Sequence, residues 1–282
     1  MLSNLRIRRP VGRLIVYLLA LAVLAWTLLP IVWIIGTAFK IPSEYMAYPP
    51  ILFPSSPTLN NFVSAFETFH AWEYVRNSLI VTFASTALAL VVGSMGAYSI
   101  ARLRFRGRSR IAFWILALRM FPAIALAIPF FAILQWLRLL NTYWGLIITY
   151  QLFLLPFVVW MMKGFFEEIP PELEEAAEVD GCSRIGAFVR IVLPLTAPGL
   201  AATGTFAALM SWNEFLFALL FTQNRATQPV TVLVAGFIAP EKGVLWGEIS
   251  AVGLISIIPI LVFTMFLQKY LIRGLTMGAI KG

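Results

Sequence analysis

Charge is scarce in this sequence. Only 12% of its 282 residues are Asp, Glu, Lys or Arg, about half the share usual in a soluble globular domain. Acid is scarcer than base, with 13 Asp and Glu against 21 Lys and Arg. The single cysteine, Cys182, excludes an intrachain disulfide. The single histidine, His70, leaves neither a Ser–His pair nor a metal-ligand cluster for intramembrane hydrolysis. No Gly-Lys-Ser or Gly-Lys-Thr triplet occurs, so the usual phosphate-cradling loop is missing. Internal repeats and low-complexity linkers are also absent.

What is abundant is apolar sequence. Hydrophobic residues make up 60% of the chain, and the mean hydropathy is +0.87. They fall in six blocks, at 14–35, 79–101, 111–134, 146–162, 198–221 and 249–267, each near the ~20 residues that cross a bilayer as a helix. Gly and Pro within them are tolerable in a bundle, where neighbouring helices satisfy the freed backbone. The first block is longer than a signal-peptide core and no small-residue cleavage site follows it, so it reads as a retained span. The expectation is an all-α, six-span membrane protein forming one transmembrane domain over 1–282.

Orientation follows from the cations. Fifteen of them, including Arg6, Arg8, Arg9 and Arg13 and the run Arg102, Arg104, Arg106, Arg108 and Arg110, fall on one side of the six-span topology. Five fall on the other, and Arg119 lies inside a span. Both termini are therefore expected in the cytoplasm. Topology alone accounts for the net charge of +8, and nucleic acid is not needed to explain it.

Two external loops are expected, at 40–77 and 222–248. The first is proline-rich, then carries Phe62, Phe66 and Phe69 at helical spacing. Such a stripe suits a helix at the membrane interface or a docking surface for an external partner. The second is too polar to span and too apolar for a plain tether.

The acids are concentrated. Seven of the 13 lie within fourteen positions, from Glu167 to Asp180, on the side where bases prevail. Pro170 and Pro171 suit a helix start, and Glu172, Glu174 and Glu175 occupy the positive end of its dipole. Leu173, Ala176 and Ala177 give a narrow face of small residues. Gly181 ends the helix, and a second short helix, with Ile185, Phe188, Val189 and Val192 on one face, runs to Leu193-Pro194. The loop 167–194 thus reads as two short helices at an angle. A solvated acidic helix is the plainer alternative, but the small residues beside the acids favour a cationic protein socket.

The spacing Glu175-Ala176-Ala177-x3-Gly181-x9-Ile191-x-Leu193-Pro194 resembles the EAA loop of binding-protein-dependent ABC importer permeases. Pro57-Thr58-Leu59-x-Asn61-Phe62, Met120-Phe121-Pro122, Leu245-Trp246-Gly247-Glu248 and the tail 274–282 are similar to the smaller permease of maltose-type carbohydrate importers. That resemblance implies a type I importer fold in a bacterial inner membrane. It implies three protein partners: a second permease, an ATPase dimer that binds ATP and Mg, and an extracytoplasmic substrate-binding protein. This chain would carry no cofactor, no metal and no catalytic residue of its own. Glu175, Ala176, Ala177, Asp180, Gly181, Ile191, Leu193 and Pro194 would form the coupling element seated on the ATPase, with Glu175 pairing with an arginine there. The tail would reach between the ATPase subunits, and the 222–248 loop would enter the binding protein.

For the substrate path, Trp212, Asn213 and Glu214 combine an aromatic surface with polar groups, as sugars favour, and Tyr150 and Gln151 are similar candidates. Arg119 departs from the uncharged residue expected beside Met-Phe-Pro and suits either an anionic sugar derivative or an interhelical role. An ion-coupled secondary transporter is the rival reading, but such carriers usually show repeated halves and several intramembrane acids, and here only Glu214 qualifies.

Overall fold

The computed structural model describes the backbone of residues 4–239 and 243–278 and the side chains of 13–238 and 243–265. The chain divides into two compact units. Among the described residues, four helices are long and apolar enough to cross a membrane: Arg13–Ala38, Ala71–Arg102, Tyr143–Glu167 and Trp246–Met265. Two bent helix pairs raise the number of spans to as many as six.

The first unit comprises Met1–His70 and Gly236–Ile255. It holds α1 (Asn4–Ala38), the short α2 (Asn60–Val63) with a π-helical turn Ser64–Thr68, and strands β1 (Ile238–Ala239) and β2 (Gly243–Val244), paired antiparallel. The Asn61 amide organises it. Its Nδ2 donates to the carbonyls of Ala38 and Lys40 at 3.0 and 2.9 Å, and its Oδ1 accepts from the Tyr45 hydroxyl at 2.9 Å. Ser64 Oγ donates to Glu248 Oε1 at 3.1 Å. Phe62 packs on Phe39 and Phe69 on Phe237, with ring centroids 5.2 and 4.9 Å apart. Two of the three striped phenylalanines are therefore spent on packing this unit, and only Phe66 stays exposed.

The second unit comprises Ala71–Ala235 and Ser256–Gly282. Its helices are α3 (Ala71–Arg102), α4 (Arg108–Ala117), α5 (Ala123–Trp136), α6 (Tyr143–Glu167), α7 (Glu172–Val179), α8 (Arg184–Ala187), α9 (Leu193–Leu195), α10 (Ala197–Trp212), α11 (Leu216–Phe221), α12 (Val230–Gly236) and most of α13 (Trp246–Gly278). Its core lies between α3, α6 and α10, around Ala89, Leu154, Val158, Met162 and Ala207. Small residues set the approach: a Cβ on Gly204 would meet Leu90 at 3.0 Å. A polar seam crosses the same three helices, with Ser85 Oγ 2.9 Å from Ser211 Oγ and Gln151 Nε2 donating to the Ser85 carbonyl at 3.1 Å.

Two expected spans are not straight. Arg108–Met120 and Ala123–Trp136 meet at 99°, because Phe121 precedes proline and is driven into an extended conformation (ψ 131°). The block 198–221 is interrupted between Trp212 and Leu216, where α10 ends and α11 begins. The segment after Phe221 is held down. Asn77 Nδ2 donates to the carbonyls of Arg225 and Gln228 at 2.9 Å each, and the Tyr143 hydroxyl donates to Asn77 Oδ1 at 2.7 Å. The tail reading at 274–282 falls largely outside the described residues. The backbone of α13 stays helical to Gly278, and nothing beyond it is described.

Candidate functional site

The acidic loop folds as two short helices. After Pro170 and Pro171, α7 runs eight residues with Glu172, Glu174 and Glu175 in its first turn, where exposed amides attract negative charge. Gly181 then takes φ +88°, a backbone conformation that only glycine adopts freely. Gly181 N donates to the Glu178 carbonyl at 3.1 Å and Cys182 N to Ala177 at 2.9 Å, closing the helix end. Ser183 caps α8 by accepting from Gly186 N at 3.2 Å.

The two faces of α7 differ from the sequence expectation. Glu174 and Ala177, three residues apart, turn inward and are buried. Leu173, Glu175, Ala176 and Asp180 lie outward. Past α8 a π-helical turn, Phe188–Val192, changes the register. Phe188 and Val192 are buried while Ile185 and Val189 point out, so the four do not share one face. Ile191 and Leu193 are half-buried and Pro194 is exposed. The chain remains helical through Leu195 and bends by 77° before α10.

Sequence reasoning missed the interior partner of α7. Glu174 Oε2 accepts from the Tyr98 hydroxyl at 2.6 Å, and Glu174 Oε1 lies 2.7 Å from Arg102 Nε. The Nε–H points off that short line, so this contact is charge pairing. The aligned bond of the guanidinium runs from Nη2 to the Ile169 carbonyl at 2.5 Å. The available signal was spacing: Tyr98 and Arg102 are one helical turn apart, as are Glu174 and Ala177.

The polar residues expected along the path form a second group. Glu214 accepts from Phe217 N at 2.8 Å and Ala218 N at 3.1 Å, capping α11. The Tyr150 hydroxyl also bonds to its carboxylate, and Thr231 Oγ1 donates to its carbonyl at 2.8 Å. Trp212 is buried, with its ring 6.5 Å from Phe263. Asn213 is exposed, its amide returned to the Leu209 carbonyl at 2.8 Å. Gln151 Oε1 is buried without a hydrogen-bond partner while its Nε2 ties α6 to α3. Arg119 places its guanidinium 5.5 Å from the centroid of Phe157, within cation–π range. Among the described residues no group of three or more His, Cys, Asp or Glu could hold a metal ion.

Comparison with known proteins agrees with this architecture. The sulfoquinovosyl glycerol transport system permease protein SmoH of Agrobacterium fabrum is 36% identical over 271 residues, covering 96% of this chain and 95% of the relative. The diacetylchitobiose uptake system permease protein DasC of Streptomyces coelicolor is 36% identical, covering 90% and 91%. The trehalose/maltose transport system permease protein MalG of Thermococcus litoralis is also 36% identical, covering 90% and 92%. In fold, the chain superposes on a subunit of a bacterial ABC transporter involved in import of the acidic polysaccharide alginate, with TM-score 0.78, 23% identity and coverage of 96% and 98%. Residues 89–277 match a family described as the inner membrane component of binding-protein-dependent transport systems. The chain belongs to that family, as a non-catalytic, multi-pass permease subunit of an ABC importer.

Proposed function

We propose that this permease admits a sugar or sugar derivative, together with a second permease, and that α7 and α8 couple it to a separate ATPase dimer. The observation that carries the coupling role is the outward face of α7. Glu175 and Ala176 project from a rigid helix whose opposite face is bonded into the bundle, and Gly181 fixes the angle of the following helix. A carboxylate beside a small residue suits a guanidinium in a protein cleft. Within that reading, Glu175, Ala176, Ala177, Asp180, Gly181, Ile191, Leu193 and Pro194 form the coupling element. Both termini and this element face the cytoplasm, where the positive-inside bias puts them.

The carbohydrate class is supported by three relatives at equal identity whose names specify a sulfoquinovosyl glycerol, a chitobiose derivative and trehalose/maltose. An extracytoplasmic binding protein would deliver the substrate, and ATP and Mg would be bound by the ATPase. Trp212, Asn213, Glu214, Tyr150 and Gln151 remain the proposed polar lining of the path. Arg119 is assigned to packing of the turn after α4, Leu118–Met120, on α6, since its charge lies over Phe157.

Co-purification of the chain from its native membrane tests the assembly. The expected set is one further permease, an ATPase pair and a binding protein. That binding protein should show ligand-induced thermal shifts with oligosaccharides or sugar derivatives. A chain that moves solute in a proton or sodium gradient with no ATPase attached overturns the proposal in favour of secondary transport.

A further inference from the structure

Glu174 and Glu175 are sequence neighbours that face opposite ways. Glu175 is exposed, while Glu174 is 8% exposed and held by one helix. Both of its partners, Tyr98 and Arg102, sit on the last turn and a half of α3. Arg102 in turn holds the Ile169 carbonyl, just before the Pro170-Pro171 break. The rings of Tyr98, Phe166 and Phe188 close around this point, with centroids 4.4 to 6.0 Å apart. The end of α3, the end of α6, α7 and the turn after α8 thus converge on one carboxylate. A buried charge of this kind is compensated only while its partners remain in place, so the contact resists separation.

The backbone links of α7 lead to α6 and α8, and not to α3. One is a double proline and the other is Gly181 in a left-handed conformation. A push on α7 carried by the backbone alone would pass to α6 and α8 and not directly to α3. α3 packs along α6 and α10 and carries the seam at Ser85.

We propose that Glu174 is a positioning residue for coupling: with Tyr98 and Arg102 it latches α7 to the end of α3, so that the two move as one body. The inference rests on the reading of α7 as the coupling helix and names the joint by which its displacement enters the membrane bundle. If the contact were purely static, breaking it would lower stability, yet the variant would still keep α7 and α3 in one relation before and after ATP binding.

The test uses the assembled importer in a Cys182→Ser background, with spin labels on Val179→Cys of α7 and Met95→Cys of α3, both exposed positions. The Val179–Met95 distance is measured nucleotide-free and after trapping with MgATP and vanadate. The latch requires one narrow distance, unchanged between the two states. In Glu174→Gln, and in Tyr98→Phe, which removes one hydroxyl and keeps the ring, the trapped-state distance should shift or split by about one helical turn, ~5 Å. A wild-type distance that changes on trapping, or variants that keep the single distance, overturns the latch. Cross-linking from Val179→Cys to an ATPase subunit separates the two levels. With that cross-link present, a failed distance test removes the latch alone; with it absent, the coupling reading falls and the latch with it.

Discussion

Gly93 of α3 touches Val158 of α6 with no room for a side chain: a Cβ added at Gly93 would lie 2.7 Å from Val158 Cγ1 and 2.9 Å from its Cβ. Close backbone approach of this kind replaces the hydrophobic driving force that helices lack inside lipid. Gly93→Leu should therefore lower the thermal stability of the purified chain by an amount in the overpacking range, about 1–3 kcal/mol. Gly164→Ala on α6, where nothing lies within 4 Å of the added Cβ, should leave it unchanged or slightly raised. Equal melting of the two variants would contradict this packing.

The outward face of α7 gives a functional prediction. Glu175→Ala should abolish ATP-driven uptake while the chain still inserts and assembles. Gly181→Val should do the same, because its φ of +88° costs a side-chain-bearing residue roughly 1–2 kcal/mol and reorients α8. Uptake in membrane vesicles, normalised to assembled complex, is the readout. Normal transport by either variant counts against the coupling assignment.

Glu214 is a helix cap by geometry and a path residue by proposal, and two substitutions part these roles. Glu214→Ala leaves the Phe217 and Ala218 amides unpaired and should cost about 0.5–2 kcal/mol of stability. Glu214→Gln keeps an acceptor for one of them and should cost less. If the carboxylate also lines the path, Glu214→Gln should weaken uptake beyond its small loss of stability. Unaltered uptake would leave Glu214 with the cap alone.

Acid should loosen the first unit at Glu44. Its carboxylate accepts from the Ser55 hydroxyl, and from Ser55 N at 3.0 Å. Hydrogen bonding from that hydroxyl outweighs burial and holds the Glu44 pKa below its ordinary 4.5. A depressed carboxylate contributes stability that is complete above the unfolded-state value and is lost as pH falls through the folded one. Lys40 is shifted the other way on its own scale, its pKa lowered by burial beneath Trp33, so its effect belongs to the alkaline range. Hydrogen exchange of residues 40–62 should therefore accelerate below about pH 4.5, the ordinary Glu44 value. In Glu44→Gln that acid-dependent step should disappear; its persistence would assign the step elsewhere.

The segment after Phe221 should depend on Asn77, which binds two loop carbonyls and receives the Tyr143 hydroxyl. Asn77→Ala leaves the two carbonyls without this donor, a loss of about 1–3 kcal/mol, while the Tyr143 hydroxyl keeps its bond to the Ala226 carbonyl. Protease cleavage near Arg225 in outward-exposed vesicles should rise accordingly, and an unchanged cleavage rate would argue against this anchor.

Composition and order alone determined that the chain is a helical membrane protein. Six apolar blocks, the one-sided cations and the spacing from Glu175 to Pro194 are local properties, legible because bilayer thickness and glycine's backbone freedom act on short stretches. The proline bend at Phe121 was equally local, yet its 99° angle needed the surrounding helices. Only the tertiary structure decided which of two adjacent glutamates turns inward, that a π-helical turn begins at Phe188, and that Glu214 caps α11. Each of these depends on a partner that is distant in sequence or on a register change, and helical periodicity carries no information about either. In a chain this poor in charge, the position of Glu174 is set by where Arg102 and Tyr98 come to rest, because a buried carboxylate is stable only beside them.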